Sequence, residues 1–290
     1  MDYRVRHRTT YRYAQDVSYS HHLLHLSPRA TATQAVKEAS LTVTPATAYR
    51  VERSDFFGNA SEWLALNEPH AVIDIVAQSL VTVVDSPARD PGASAPWETV
   101  RASLEEAGAA AQNIVQFLFD SALTTFSVDL PAYAGKSFTP GRPLLAGAID
   151  LMSRIHADFR YDKTVSDAST PVDRVFEMRA GVCQDLAHVA IAAMRSLGLP
   201  ARYVSGYLMT RPPPGKARMI GADASHAWFS VWAPPYGWVD LDPTNDVIPG
   251  KEHITVAWGR DYWDVAPVNG IVIGGADHLI EVGVDVIPAG

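Results

Sequence analysis

The 290-residue sequence contains a single cysteine, Cys183. One cysteine cannot form a disulfide within the chain, and it cannot supply the cysteine cluster of a zinc site. Long apolar runs are also missing, because no stretch approaches the roughly 18 apolar residues of a membrane-spanning helix. The first six residues lack the apolar segment of a signal peptide. Together these absences predict a soluble, cytoplasmic protein.

Positive charge is scarce, with 24 Lys and Arg residues against 32 Asp and Glu residues and a net charge of −8. Since nucleic acids and anionic membranes bind basic surfaces, we expect neither as a partner. Hydrophobic residues make up 47% of the chain and charged residues 19%, the balance of an ordinary globular protein. The length fits one large domain or two modest ones, and the sequence leaves the oligomeric state open.

Strand patterns dominate residues 1–88. Residues 3–9 alternate with a period of two, and further strand-like runs are separated by turn residues. These runs cover residues 39–44, 49–53, 61–66 and 72–84. Short strands with little helix predict an N-terminal β domain of sandwich or barrel-like type over residues 1–88. The stretch 87–96, rich in proline, is the predicted exposed connector to the next domain.

Helical patterns precede strand patterns in the predicted second domain, residues 97–290. Helices are predicted at 98–119, 143–159, 171–178 and 183–197. Strands are predicted at 201–209, 226–233, 238–241, 271–274 and 278–287. Helices followed by an antiparallel sheet make this an α+β domain. The late strands 271–287 could pack on either domain.

Cys183 lies at the start of the helix predicted over residues 183–197, on its apolar face. Free N–H groups and the positive end of the helix dipole stabilise a thiolate there. Gly181 would let a substrate approach the backbone closely. A lone cysteine is more often a small buried hydrophobe, so position alone leaves both interpretations open.

His226 and Asp242 fall on neighbouring strands joined by Ala233-Pro234-Pro235-Tyr236-Gly237. If all five of these residues form the turn, Trp228 faces Asp242. His226 then lies diagonal to Asp242 on the same sheet face, roughly 7–8 Å away at the backbone. A four-residue turn would send Asp242 to the opposite face. The pairing therefore depends on the length of the turn.

A cysteine, a histidine and a carboxylate together can perform nucleophilic acyl transfer. The histidine takes the thiol proton and later returns it to the leaving amine. The carboxylate fixes the tautomer of the histidine ring and stabilises its charged form. The backbone N–H of Cys183 is a natural donor to an oxyanion. Cys183, His226 and Asp242 are thus the predicted catalytic residues.

Three motifs around these residues resemble the core of the transglutaminase-like superfamily: Gly-Val-Cys-Gln-Asp-Leu-Ala-His at 181–188, Ser-His-Ala-Trp at 225–228 and Trp-Val-Asp-Leu-Asp-Pro-Thr-Asn at 238–245. Residues 3–13, Asp-Phe-Phe-Gly-Asn at 55–59 and Arg-Asp-Tyr-Trp-Asp-Val at 260–265 are similar to the N-terminal β domain and the tail of bacterial members. The resemblance implies a papain-like core with its catalytic triad on Cys183, His226 and Asp242. Asp240 shares the strand face of Asp242, but the motif match favours Asp242.

The resemblance also implies a second oxyanion contribution from an aromatic residue before the cysteine, for which Tyr161 is the candidate. Gln184 and Trp228 are further candidates for contact with the oxyanion or the substrate. The tryptophans between 228 and 263 also fit a plain aromatic core, which we consider the more frequent case. Many bacterial members are regarded as cysteine proteases rather than cross-linking enzymes.

The resulting hypothesis is a thiol enzyme acting on a peptide or amide substrate through a thioester. Hydrolysis and transfer to an amine differ only in what attacks the thioester, and the sequence has no calcium-loop pattern or extra acceptor domain, which favours hydrolysis. A transglutaminase and a non-catalytic peptide-binding module on the same fold remain the alternatives. Whether the loop over residues 211–225 forms a lid is left open.

A histidine cluster, His21-His22-Leu23-Leu24-His25, is the one pattern that suggests a metal. It lacks the glutamate of the His-Glu-x-x-His zinc motif. In a strand, His22 and His25 would also face opposite ways. We therefore expect neither a metal nor another cofactor.

Overall fold

A computed structural model describes residues 1–107, 111–125, 128–210 and 224–289. The N-terminal region consists of strands, as predicted: β1 (Asp2–Leu24), β2 (Gln34–Thr44), β3 (Tyr49–Ser54), β4 (Ala60–Leu66) and β5 (His70–Val83). Alternation explains β1, because Tyr3 and Val5 are buried while Arg4 and Arg8 face outward. Its great length lets β1 serve as the central strand of the whole sheet.

Every strand of this sheet except β2 and β3 pairs with β1. The order is β2-β5-β1-β4-β3. β5 pairs with the first half of β1, and β4 pairs with residues 20–24. The other side of β1 is taken by the last two strands of the chain, β12 (Val268–Gly274) and β13 (His278–Pro288). The late strands thus join the N-terminal sheet.

Residues 84–90 contain no helix or strand, and a single 3₁₀ turn follows at Pro91–Ala93. The connector predicted over residues 87–96 falls in this irregular stretch. The division of the chain into two domains at this point stays a prediction.

The helices of the second region begin after this stretch. They are α1 (Trp97–Ala107), α2 (Gln112–Val115), α3 (Leu130–Gly135), α4 (Leu144–Asp158), α5 (Val172–Met178) and α6 (Cys183–Ser196). The single helix predicted over 98–119 is wrong: α1 ends at Ala107, α2 has four residues, and a 3₁₀ turn takes Gln116–Leu118. Residues 108–110 lie outside the described residues. Within the described part of the chain, no helix is long and apolar enough to cross a membrane.

A four-stranded antiparallel sheet with the order β10-β9-β8-β11 carries the rest of this region. Its strands are β8 (Ala201–Leu208), β9 (Ala224–Trp232), β10 (Trp238–Leu241) and β11 (His253–Gly259). Two short parallel strands, β6 (Arg160–Tyr161) and β7 (Ala180–Gly181), pair separately. The apolar side of α6 packs on β8 and β9, where Ala187, Ala190 and Phe229 are fully buried. The α+β class predicted from the order of the patterns is confirmed.

Candidate active site

Cys183 is the first residue of α6 and is partly buried. Its backbone N–H lies ahead of the N–H groups that donate within the helix. The first of these is Leu186 N, which donates to Val182 O. The Asp185 carboxylate caps this helix end by accepting from Val182 N at 2.8 Å and from Ser166 Oγ at 2.5 Å. Burial raises the pKa of Asp185, and these hydrogen bonds oppose the rise.

Gly181 is required here for a different reason from the one expected. A Cβ atom on Gly181 would lie 2.6 Å from Asp185 Oδ2. The glycine therefore makes room for the capping carboxylate, and this contact accounts for it without any substrate.

The turn between β9 and β10 has five residues, the length that places Asp242 on the same sheet face as His226. Trp232 pairs with Trp238, and Phe229 pairs with Leu241. The turn is closed by a hydrogen bond from Ala233 N to Gly237 O at 2.8 Å. Asp242, one residue beyond Leu241, therefore falls on the sheet face of His226.

The His226 and Asp242 side chains meet directly. His226 Nε2 lies 2.7 Å from Asp242 Oδ2, and both residues are buried. Because Nε2 faces the carboxylate, Nδ1 is left for a partner on the other side of the ring. Cys183 lies near the same imidazole, since it is among the groups that raise the pKa of His226. The fold thus brings His226 and Asp242 into direct contact, with Cys183 of α6 nearby.

Electrostatics favour a charged His226. Burial is the largest influence on its pKa and lowers it, but the hydrogen bonds to Asp242 and Cys183 and their charges outweigh burial. The net result raises the pKa of His226 to about 10. At neutral pH the ring is therefore an imidazolium held between a carboxylate and the cysteine sulfur.

Asp242 has more partners than the predicted triad supplies. Oδ1 accepts from the backbone N–H groups of Thr244 at 3.0 Å and Asn245 at 3.3 Å. Oδ2 also accepts from Asn245 Nδ2 at 2.7 Å and lies 3.1 Å from His253 Nε2. Burial would favour the neutral acid, but the hydrogen bonds to His226 and His253 hold the pKa of Asp242 well below its ordinary value. The carboxylate is a fixed anion.

His253 was not predicted as a site residue. It begins β11, it is buried, and its ring stands edge-on to Trp228 at 5.3 Å between centroids. His226, Asp242 and His253 each place one ligand atom within 4.8 Å of the others, a spacing that is also compatible with a bound metal ion. The hydrogen bonds of the two histidines to Asp242 already account for the arrangement.

Two tyrosines lie near the cysteine. Tyr161 stands opposite Gly181 in the β6–β7 pair and is 48% exposed. Its partial burial and the nearby Cys183 raise the pKa of Tyr161. Tyr203, on β8, is buried, and burial together with the nearby Cys183 raises its pKa as well. The position of Tyr161 is compatible with the oxyanion role predicted for it, which stays a prediction.

The other two candidate substrate contacts differ in exposure. Gln184 lies at the helix start and donates from Nε2 to Ala168 O at 3.2 Å. Trp228 is fully buried beneath the site, where a Cβ atom on Gly206 would lie 2.5 Å from its Cη2 atom. Trp228 therefore contacts the rings of His226 and His253 rather than solvent. A substrate contact for either residue stays a prediction.

Asp240 occupies different surroundings from Asp242. It lines a cavity of about 230 Å³ together with Arg202, Trp238 and Trp258. Its charge opposes the lowering of the pKa of Arg202 by burial.

The histidine cluster at residues 21–25 is dispersed, with His21 against Trp63 and His25 Nε2 3.3 Å from Asp55 Oδ2. The loop considered as a lid falls mainly on residues 211–223, which lie outside the described residues.

Comparisons with known proteins cover both regions of the chain. Residues 3–82 match the family described as the bacterial transglutaminase-like N-terminal region, and residues 132–243 match the transglutaminase-like superfamily. The second match contains Cys183, His226 and Asp242.

Relatives extend the likeness to the whole chain. An uncharacterised protein of Mycobacterium tuberculosis is 43% identical over 297 residues, covering 99% of this chain and 92% of the relative. A protein-glutamine gamma-glutamyltransferase of Pseudomonas aeruginosa is 34% identical over 101 residues, covering 33% of this chain and 15% of that enzyme. A solved structure from Cytophaga hutchinsonii, called "a putative cysteine protease", shares the fold with a TM-score of 0.73 at 21% identity, covering 100% of this chain and 92% of that one. The chain belongs to the transglutaminase-like superfamily, with the bacterial N-terminal region in front of its core.

Proposed function

We propose that this protein is a thiol acyl-transfer enzyme that cleaves amide bonds, with Cys183 as nucleophile, His226 as proton carrier and Asp242 as the group that orients the histidine. The observation that carries the proposal is the 2.7 Å contact between His226 Nε2 and Asp242 Oδ2, together with the nearness of Cys183 to the same ring. The pKa of the buried His226 imidazole is raised to about 10, so the ring can serve as the positively charged partner of a thiolate.

The reaction follows from the protonation states. With the proton already on His226, the sulfur attacks the amide carbon as a thiolate and forms a tetrahedral intermediate. The oxyanion is met by the Cys183 N–H at the start of α6 and by the Tyr161 hydroxyl. Because its pKa is raised, Tyr161 keeps its proton and can donate it in a hydrogen bond.

Collapse of the intermediate breaks the carbon–nitrogen bond. His226 gives its proton to the departing amine, and the acyl group remains on Cys183 as a thioester. His226 then takes a proton from the incoming nucleophile, and the thiolate leaves. Asp242 stays ionised throughout and fixes which ring nitrogen faces the sulfur.

Water is the nucleophile we favour, which makes the protein a peptidase or amidase. Transfer to an amine is the second candidate, since a relative matching about a third of this chain is named a protein-glutamine gamma-glutamyltransferase. The two activities share the same thioester and the same three residues. They differ in whether the product is a shortened peptide or an amine-modified one.

The test is a peptide screen analysed by mass spectrometry, run with and without a primary amine. We expect the wild-type protein to shorten or deamidate a subset of peptides and to carry an acyl adduct on Cys183. Cys183→Ala is the control and should give neither product nor adduct. Amine incorporation without hydrolysis would favour the transferase, while identical results for both proteins would reduce the chain to a binding module.

A further inference from the structure

The last two strands form an exposed edge of the N-terminal sheet. β12 and β13 run antiparallel to β1 along nearly its whole length, with a bend at residues 274–277 between them. β4 and β5 occupy the other side of β1. Among the described residues, no strand pairs with the outer side of β12 or β13. Such an edge offers a row of N–H and C=O groups for pairing with another strand.

This edge is unusually apolar. Seven aliphatic side chains on it are exposed: Ile271, Val272, Ile273, Leu279, Ile280, Val282 and Ile287. Residues 268–282 contain no lysine, arginine or proline, which are residues that commonly block sheet edges. The only acids there are Asp277 and Glu281, and Glu281 lies 3.4 Å from Arg12 of its own chain. Residues 268–282 therefore carry none of the lysine, arginine or proline residues that would block a second strand.

We propose that β12 and β13 pair with the same two strands of a second copy of this chain, forming a two-fold symmetric dimer through a continuous antiparallel sheet. A second copy fits because the bend must meet a partner strand that bends at the same place. Gly274, Gly275 and Ala276, all at positive φ, mark that bend. A two-fold axis through the bend places each strand's own bend opposite the other's.

The side-chain pattern then selects one register. In an antiparallel pair related by this axis, one residue lies opposite its own copy. In any other register, directly opposed side chains would have to point to different faces of the sheet. With Ala276 on the axis, Ile273 of one copy stands opposite Leu279 of the other, and Val272 stands opposite Ile280. Symmetry repeats both pairs. Asp277 meets Gly275, so no two acids face each other.

Pairing with β1 confirms that the matched residues share a face. Ile273 and Leu279 lie beside Tyr19 and Arg12, which point outward. Val272 and Ile280 lie beside Ser20 and Tyr11 on the inner side of the sheet. Ile273 is 59% exposed and Leu279 is 58% exposed. Cross-strand aliphatic pairs on both faces are the contacts that stabilise a sheet.

The test is the mass of the protein in solution, measured by light scattering and sedimentation over a range of concentrations. The wild-type chain is expected at twice its 31.5 kDa mass. Ile273→Lys and Leu279→Glu should each raise the dimer dissociation constant on the order of 10²-fold. Both side chains are exposed, so an unchanged far-ultraviolet spectrum and thermal midpoint should show that the variants fold.

Mixing the two variants tests the register. Position 273 of one copy faces position 279 of the other, so I273K and L279E together should form a heterodimer although each alone is monomeric. Tyr49→Lys is the matched control, because Tyr49 is 51% exposed on β3, at a different edge, and should leave the dimer intact. A wild-type chain that is monomeric at every concentration contradicts the proposal. So does a dimer that Ile273→Lys leaves unchanged, or a mixture that remains monomeric.

Discussion

The two ends of the β9–β10 hairpin differ sharply in what holds them together. At the turn end, the rings of Trp232 and Trp238 pack at 5.7 Å between centroids, and Phe117 stands edge-on to Trp238 at 5.2 Å. At the open end, contacts are polar, and Asp242 Oδ2 alone has partners on His226, Asn245 and His253. Aromatic packing stabilises the turn end, and the polar end depends on the register that the turn sets.

The hairpin brings the Asp242 carboxylate to a histidine sixteen residues away in the sequence. The turn sets which residues face each other, so a change of one residue in its length would move Asp242 to the other face of the sheet. We expect substitutions at the open end to affect the chemistry and substitutions at the turn end to affect stability.

The largest effect is expected at the open end. Asp242→Asn should reduce turnover by roughly 10²–10⁴ while the protein stays folded, because the amide cannot stabilise the charged His226 ring. Turnover of a peptide from the screen, with circular dichroism as the check on folding, measures it.

Asp240→Asn is the matched control, since it removes one charge from the same strand face. Asp240 lines the cavity beside Arg202 and is two residues from the hydrogen bond to His226. We expect turnover within a few-fold of wild type. A larger loss from Asp240→Asn than from Asp242→Asn would mean that the third catalytic residue is wrongly assigned.

The turn end should respond in stability instead. Trp238→Leu removes the ring that packs on Trp232 and covers the Arg202 guanidinium at 4.4 Å. Trp238 is half-buried, so we expect the free energy of unfolding to fall by about 1–3 kcal/mol. Urea unfolding measures it. If Trp238→Leu instead abolished turnover with unchanged stability, the division between the two ends would be refuted.

A smaller effect is expected at His253. His253→Gln weakens one of the donors on Asp242 Oδ2, and we expect turnover to fall about tenfold, the cost of one hydrogen bond to a charged group. KM should stay near its wild-type value, because His253 lies behind the carboxylate. His21→Gln, in the N-terminal sheet, is the control. An unchanged turnover would show that His226 and Asn245 suffice to hold Asp242.

Local patterns predicted much of this architecture. Alternation predicted residues 3–9 at the start of β1, a strand-like run over 72–84 predicted most of β5, and the start of α6 at Cys183 followed from its apolar face. The hairpin register followed from counting the turn, and the structure has that register. These features depend on residues close together in the sequence, so their spacing carries the information.

Features that depend on distant contacts were missed. His253 lies eleven residues beyond Asp242, and β11 was not predicted, although Ile254 and Val256 alternate with polar or small residues. β6 and β7 have two residues each and exist because Arg160 N and Asp162 N donate to the chain near Cys183. Such short elements have no period that a pattern could reveal.

The reactivity of Cys183 toward iodoacetamide at pH 6, in the wild type and in His226→Ala, tests the central claim most directly and needs no substrate. The charged His226 persists below its raised pKa of about 10 and is lost as the pH rises through that value, so at pH 6 Cys183 should lie near an imidazolium. Since an ordinary thiol is barely ionised there, wild-type alkylation should exceed that of His226→Ala on the order of 10²-fold. Equal, slow rates in both proteins, rising only where ordinary thiols ionise, would contradict the account and leave Cys183 as a structural residue.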